Sequence, residues 1–330
     1  MLPNICEIKP NKISTNMKSK FFFFYGAQGT WKTTVASKFP KPLIAAFEIG
    51  YQFIDGVHAV PMNSWSDMKD LYRQLKTPEA KATYDTIVFD TISAAYQMAY
   101  KYVLNQYGVS SPGEVPYGQG WRAIKEEFGI IKEISKLGYC LVFIAHGKEI
   151  EVTNAQTKEI TTKVNIDLDN SALNTVSELV DFVLYVRKET DDKGIEQVYA
   201  YSDLPNIETK RRMPEFPTKL LFTYDNIVKG LEDAIATRKA AGGSVAGDAD
   251  VAADPRVVKE EDWKAIQSDV ISLVRSLQQT PAEPEVIRYV QEIFPNTKLS
   301  QTTELDKGKL IAVRDYLLGL QEKIKVVAKA

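Results

Sequence analysis

The chain is poor in cysteine and histidine, with two of each, and it has no surplus of either charge. Cys6 and Cys140 are far apart and outside any metal-ligand spacing. That leaves no disulfide framework and no cysteine-based metal site to expect. Cys140 stands inside an apolar run as a buried thiol, and the chain reads as cytoplasmic. The 41 basic and 43 acidic residues leave a formal net charge of −2, and the isoelectric point is near 5.9. A globally basic nucleic-acid binder is excluded, so any DNA contact must use a local patch or loop. Long apolar runs are missing as well. The longest early one, Phe21 to Tyr25, is too short for a signal segment or a membrane span.

What is present is alternation. From about residue 20 to 240, apolar runs bounded by Gly, Pro or Asp alternate with amphipathic stretches. Residues 20–25, 42–47, 84–90 and 139–146 read as strands apolar on both faces. Helices are predicted over 32–39, 67–76, 93–106 and 121–137. In the second of these, Met68, Leu71, Tyr72 and Leu75 keep the i, i+3, i+4, i+7 spacing. Doubly apolar strands separated by helices predict an α/β fold with a mostly parallel central sheet flanked by helices. After His146 the texture changes. Residues 148–167 alternate around Asn154-Ala155-Gln156-Thr157, as an exposed hairpin or mobile loop does. Further strands follow at 181–187, 196–202 and 219–223, then a helix at 226–239. The expected division is a core over 1–239, a Gly/Ala-rich linker over 240–255 and a small helical unit over 256–330.

The strongest chemical signal is Gly26-Ala27-Gln28-Gly29-Thr30-Trp31-Lys32-Thr33-Thr34, between a predicted strand and a predicted helix. Such a turn wraps a phosphate chain in backbone N–H groups at the positive end of the helix. Lys32 then reaches the β- and γ-phosphates of ATP, and Thr33 holds Mg²⁺. One position departs from the pattern: Trp31 stands where a glycine normally lets the backbone close on the phosphate. An indole fits only if its backbone angles are allowed and its ring points outward, so Trp31 bears on binding and turnover, not on the fold. Tyr84 to Thr91 matches a Walker B strand and supplies Asp90 as the second Mg²⁺ ligand. Glu48 ends the 42–47 strand and is the candidate catalytic carboxylate, with Asp55 as its rival on the same connection. His146 ends the 139–146 strand and faces the γ-phosphate if that strand lies between the other two. His58 has no such context. Lys210-Arg211-Arg212 is a basic run whose functional reading is a set of fingers offered to a neighbouring subunit's ATP.

In their order these elements resemble the phage-encoded AAA/RecA-like ATPases that include single-strand annealing recombinases, over roughly residues 15–240. The residues carrying the resemblance are the P-loop, Ala46-Phe47-Glu48-Ile49-Gly50, Tyr84 to Thr91, Tyr117-Gly118-Gln119-Gly120-Trp121, Phe143 to Lys148 and Thr209 to Arg212. The resemblance implies a RecA-like core assembled head-to-tail as a ring or filament, with ATP between subunits. It implies Lys32, Thr33 and Asp90 for ATP and Mg²⁺, Glu48 as catalytic carboxylate and His146 as γ-phosphate sensor. Lys210 and Arg212 become trans fingers. Loops 108–120 and 147–169 are expected to touch single-stranded DNA, with a single-strand-binding protein as a candidate partner. Three activities then compete: a DNA-dependent ATPase of recombination or annealing, a non-hydrolysing module that anneals or coats single strands, and a motor or helicase loader.

Overall fold

A computed structural model describes residues 13, 16–153, 160–190, 194–243, 263–278, 280–295, 297–303 and 306–327. In the first part of the chain β1 (Phe21–Gly26) leads into α1 (Lys32–Ala36), then β2 (Pro42–Ala46) and β3 (His58–Pro61). Next come α2 (Trp65–Gln74), α3 (Pro78–Thr83), β4 (Thr86–Asp90), α4 (Ile92–Tyr107), α5 (Gln119–Phe128) and α6 (Ile130–Ser135). Then follow β5 (Cys140–Thr153), β6 (Ile160–Ile166), α7 (Asn170–Leu179), β7 (Phe182–Thr190) and β8 (Glu196–Tyr201). This part closes with β9 (Lys210–Arg211), β10 (Lys219–Leu221) and α8 (Tyr224–Ala240).

The strands form one sheet in the order β10-β8-β7-β1-β5-β4-β2-β3, with β6 on β5 and β9 on β7. From β7 to β3 every neighbouring pair is parallel. The strands added at the β7 edge, and the β5–β6 hairpin, are antiparallel. The expected mostly parallel sheet flanked by helices is therefore the observed architecture.

Period-2 alternation explains why Phe21 to Tyr25 of β1 carry no polar side. Phe21, Phe23 and Tyr25 face one layer with Phe89, Phe143 and the buried residues of α2, α4, α5, α6 and α7. Phe22 and Phe24 face the other, with Val35 and Ala36 of α1 and Ile227, Leu231 and Ala234 of α8. A strand buried on both faces has no polar side to show, so its sequence reads as a continuous apolar run.

Several details differ from the sequence expectation. The single helix predicted over 121–137 is two, because the chain is re-set at Gly129, whose N–H is shared between the carbonyls of Lys125 and Glu126. The alternating stretch after His146 is a β-hairpin in which Gly147 to Thr153 pair with Ile166 to Ile160; its tip, Asn154 to Thr157, lies outside the described residues. The short β3 and α3, and the ten-residue α7, were not foreseen. Cys6 and most of the 240–255 linker also lie outside the described residues. Cys140 is buried.

Contacts divide the chain into two compact units, residues 1–258 and 259–330. The second contains α9 (Trp263–Leu277), α10 (Glu283–Ile293) and α11 (Lys307–Val327), packed through Ile266, Val270, Val286, Leu310, Val313 and Leu317. Among the described residues no helix is long and apolar enough to cross a membrane.

Phe23 is fully buried and meets Phe143 edge-on at 6.3 Å between ring centroids. Phe23→Ala is expected to lower the unfolding free energy by about 3–5 kcal/mol, through lost transfer energy and the cavity left behind. A urea midpoint equal to that of the wild type would contradict the two-layer core.

Candidate functional site

Four neighbouring parallel strands, β1, β5, β4 and β2, each deliver one piece of the site toward the same end of the sheet. Gly26 at the end of β1 is in register with His146 of β5. Asp90 at the end of β4 is in register with Ile144 of β5 and with Ala46 of β2. Glu48 stands just beyond β2, where the N–H groups of Phe47 and Glu48 both donate to the carbonyl of Asp90, at 2.7 and 3.2 Å. The crevice at the carboxyl ends of parallel strands is where ligands bind in open α/β sheets. Here it is an open cleft of about 300 Å³ whose lining includes Gln28 to Thr34, Glu48, Asp90 and His146.

The turn from β1 into α1 is possible only with glycine at its start. Gly26 has φ +150°, and a Cβ there would stand 2.0 Å from the carbonyl oxygen of Val186 on β7. At the other end of the turn, Trp31 occupies the left-handed region, with φ 58° and ψ 28°. This is the conformation a glycine adopts freely and a β-carbon makes costly. The indole is 60% exposed and belongs to the cleft lining, and the cost of the conformation falls on the backbone. Trp31 offers no side-chain cap to α1. Among the described residues no backbone hydrogen bond engages the N–H groups of Lys32, Thr33 and Thr34. These are the orphan donors that an anion satisfies at a helix start.

Lys32 is buried, and its Nζ donates to the carbonyls of Gly26 at 3.0 Å and Ala27 at 2.7 Å and to Thr30 Oγ1 at 3.1 Å. Burial pulls its pKa down to about 8, against the charges of Asp90 and Glu48. Thr33 Oγ1 donates to Asp90 Oδ2 at 2.6 Å. Burial pushes the Asp90 carboxyl above the usual range, opposed by the Thr33 bond and by Lys32. A hydroxyl and a carboxylate side by side form a hard oxygen donor pair. That pair suits Mg²⁺, which normally takes one or two protein ligands and completes its shell with phosphate and water. Thr33 and Asp90 are thus the residues that would hold the cation.

Glu48 lines the same cleft. Its Oε2 lies 3.1 Å from His146 Nε2, and its Oε1 accepts from Thr91 Oγ1 at 2.6 Å. The bond to His146 holds Glu48 below the usual carboxylate range and holds His146 above the usual imidazole range. A carboxylate kept ionised beside a cleft is a proton acceptor.

The structure therefore gathers Lys32, Thr33, Asp90, Glu48 and His146 in one cleft. Lys210 and Arg212 are not there. β9 pairs with the start of β7, Arg211 opposite Phe182, so the basic run lies at the far end of the sheet from the P-loop. Lys210 Nζ donates to the carbonyl of Ser177 at 2.7 Å, and Arg212 Nε is 3.1 Å from Asp181 Oδ1. Asp55 is exposed and outside the cleft lining, and His58 is exposed on β3 beside Tyr84. The sequence reading missed Thr91 as a partner of Glu48, and Gly50 and Ile54 as cleft lining. Thr91 had a local signal only as a helix cap.

Residues 18–213 match a family described as AAA domain. The SPbeta prophage-derived uncharacterized protein YorG of Bacillus subtilis (strain 168) is 26% identical over 319 residues, spanning 93% of this chain and 95% of that protein. The crystal structure of the flagellar accessory protein FlaH from Methanocaldococcus jannaschii aligns with 62% of this chain and 85% of its own, at 12% identity and a TM-score of 0.34.

Two outcomes follow from this geometry. Trp31→Gly removes a left-handed non-glycine residue and is expected to raise stability by about 1 kcal/mol, read as a higher urea midpoint; a lower midpoint would show that the indole itself contributes packing. A phosphate placed on Lys32 favours its charged form, so nucleotide binding should take up a proton as pH passes about 8. Affinity then weakens above that pH. Calorimetry in buffers of different ionisation enthalpy measures this, and an affinity flat between pH 7 and pH 9 would argue against Lys32 as the phosphate ligand.

Proposed function

The chain belongs to the AAA domain family, and on that premise we propose that it hydrolyses Mg-ATP and acts on single-stranded DNA in recombination or strand annealing. The observation that carries the nucleotide half is the convergence of Lys32, the Thr33–Asp90 pair and the Glu48–His146 pair on one cleft. In this reading the triphosphate lies along the free N–H groups at the start of α1. Lys32 Nζ turns from the carbonyl of Ala27 to the β- and γ-phosphates. Bound Mg²⁺ neutralises charge on the phosphates. Glu48 takes the proton of the water that attacks the γ-phosphorus, the bond to the bridging oxygen breaks, and ADP leaves. His146, within hydrogen-bond distance of Glu48, is the γ-phosphate sensor in this reading.

Support for the DNA half is of a different kind. The Bacillus subtilis relative is prophage-derived by name. β5 continues past His146 into the β5–β6 hairpin, which carries Lys148 and Lys163 as a local basic surface for phosphates. On the other side of the sheet, Lys210 and Arg212 stand too far from their own P-loop to touch its nucleotide. As fingers they act on a neighbour's ATP, which requires head-to-tail contacts and yields rings or filaments. One observation favours a second reading: a backbone cost at Trp31 suits a P-loop that binds nucleotide and anneals strands without turnover.

ATP hydrolysis with and without single-stranded DNA separates the readings. Turnover stimulated by DNA is expected; DNA binding without turnover selects the annealing module, and stimulation only by a partner protein selects a motor or loader. Lys32→Ala should lose nucleotide affinity, whereas Glu48→Gln should keep affinity and lose turnover on the order of 10²-fold or more. Arg212→Ala should bind ATP normally and lose DNA-stimulated turnover. Mixing it with Lys32→Ala should restore part of that turnover, because each supplies the half-site the other lacks. A chain that stays monomeric in sedimentation with ATP and DNA would rule out the shared site.

A further inference from the structure

Both oxygens of the Glu48 carboxylate are held, and they are held from different strands. His146 of β5 takes Oε2 at 3.1 Å, and Thr91, the residue after β4, takes Oε1 at 2.6 Å. The two contacts are unequal. Among the described residues Nδ1 of His146 is buried without a hydrogen-bond partner, so the imidazole has no second bond to fix its plane. Thr91 is fixed twice over. It is 1% exposed, and its Oγ1 accepts the N–H of Ala94 at 3.3 Å as the cap of α4. A hydroxyl has one proton and two lone pairs. With a lone pair committed to the cap, the proton is directed at Glu48. The carbonyl of Asp90, one residue earlier, accepts from the backbone N–H of Glu48 at 3.2 Å. Side chain and backbone of Glu48 are thus both moored to Thr91, which follows β4, and to Asp90, which ends it.

Helix capping accounts for only half of this arrangement. A cap uses the oxygen of Thr91 as an acceptor, and any small oxygen-bearing side chain serves. It does not require the proton to meet a carboxylate from another strand.

We infer that Thr91 is a positioning residue for hydrolysis: its hydroxyl sets the angle at which the Glu48 carboxylate faces the cleft. Thr91 touches neither the nucleotide nor the cation in this role. It removes the rotation a glutamate side chain otherwise has, and a misplacement of about 1 Å at a reacting group can cost on the order of 10²-fold in rate. The inference rests on the reading of Glu48 as the base.

The test compares Thr91→Ser with Thr91→Ala in the full chain. Both lose the methyl group and they differ by one hydroxyl. Single-turnover hydrolysis of Mg-ATP and equilibrium nucleotide affinity are measured for each, beside wild type and Glu48→Gln. The expected result is near-wild-type turnover for Thr91→Ser and a loss on the order of 10²-fold for Thr91→Ala, with nucleotide affinity unchanged in both. A merely structural role would lower the melting temperature and weaken affinity and turnover together. If loss of the cap unfolds Thr91→Ala, Thr91→Gly takes its place, since glycine caps nearly as well and also lacks the hydroxyl. Equal turnover in the serine variant and the hydroxyl-free variant, with Glu48→Gln inactive, overturns the inference and leaves Glu48 as base. Wild-type turnover in Glu48→Gln, or no turnover in the wild-type chain, overturns the reading of the site and this inference with it.

Discussion

Gly26 faces His146 across β1 and β5, Ile144 faces Asp90 across β5 and β4, and Asp90 faces Ala46 across β4 and β2. This parallel register is the constraint on which the rest of the molecule depends. Side chains alternate along a strand, so a slip of one residue in any pair would send its apolar set to the wrong layer. Phe22 and Phe24 would then exchange places with Phe21, Phe23 and Tyr25, and neither helical layer is shaped for that. The core therefore locks the register, and the register sets the level at which each strand ends. Chemistry at the strand ends inherits its precision from packing well below it.

Electrostatics follows from the same arrangement. A lysine and an aspartate buried at the top of an apolar sheet are each destabilised as ions, and their pKa values move in opposite senses, Lys32 down and Asp90 up. Each is partly restored by hydrogen bonds, Lys32 by the P-loop carbonyls and Asp90 by Thr33. Such desolvated groups gain most from a ligand that supplies what burial removed, a phosphate for the ammonium and a cation for the carboxylate. Glu48 and His146, nearer the cleft mouth, instead stabilise one another as ions, which keeps a proton acceptor charged beside the phosphate turn.

Trp31 shows how a local departure is absorbed. The turn needs a left-handed residue there, and the chain supplies an aromatic one. The ring stays largely exposed at the edge of the cleft it helps to line. Nothing in the turn's hydrogen bonding is lost, since the carbonyl of Trp31 still accepts from Val35 at 2.9 Å. The strain lies in the backbone angles of that residue.

Much of this was legible in the sequence because it depends on neighbours along the chain. Doubly apolar runs, the Gly26-to-Thr34 turn and the strand ending in Asp90 are local patterns, and local sterics and periodicity make them readable. The long apolar strand leading to His146 was readable on the same ground, but its continuation into a hairpin was left open against a mobile loop. The break at Gly129 and the short β3 escaped, since one shared N–H or a few residues make too weak a pattern. Residues 43 and 98 positions apart meet at Glu48, from Thr91 and from His146. No periodicity carries that information, because it depends on which crossover lays which strand beside which. The same holds for Lys210 and Arg212, whose residue types suggested phosphate contact while their position, at the start of β7, was a matter of strand pairing. By itself the sequence determined the doubly apolar strands at the centre of the sheet, the phosphate turn and the residue types offered to the candidate site. Only the tertiary structure decided which of those groups face one cleft, because adjacency in a sheet is set by the register of buried side chains far apart in the chain.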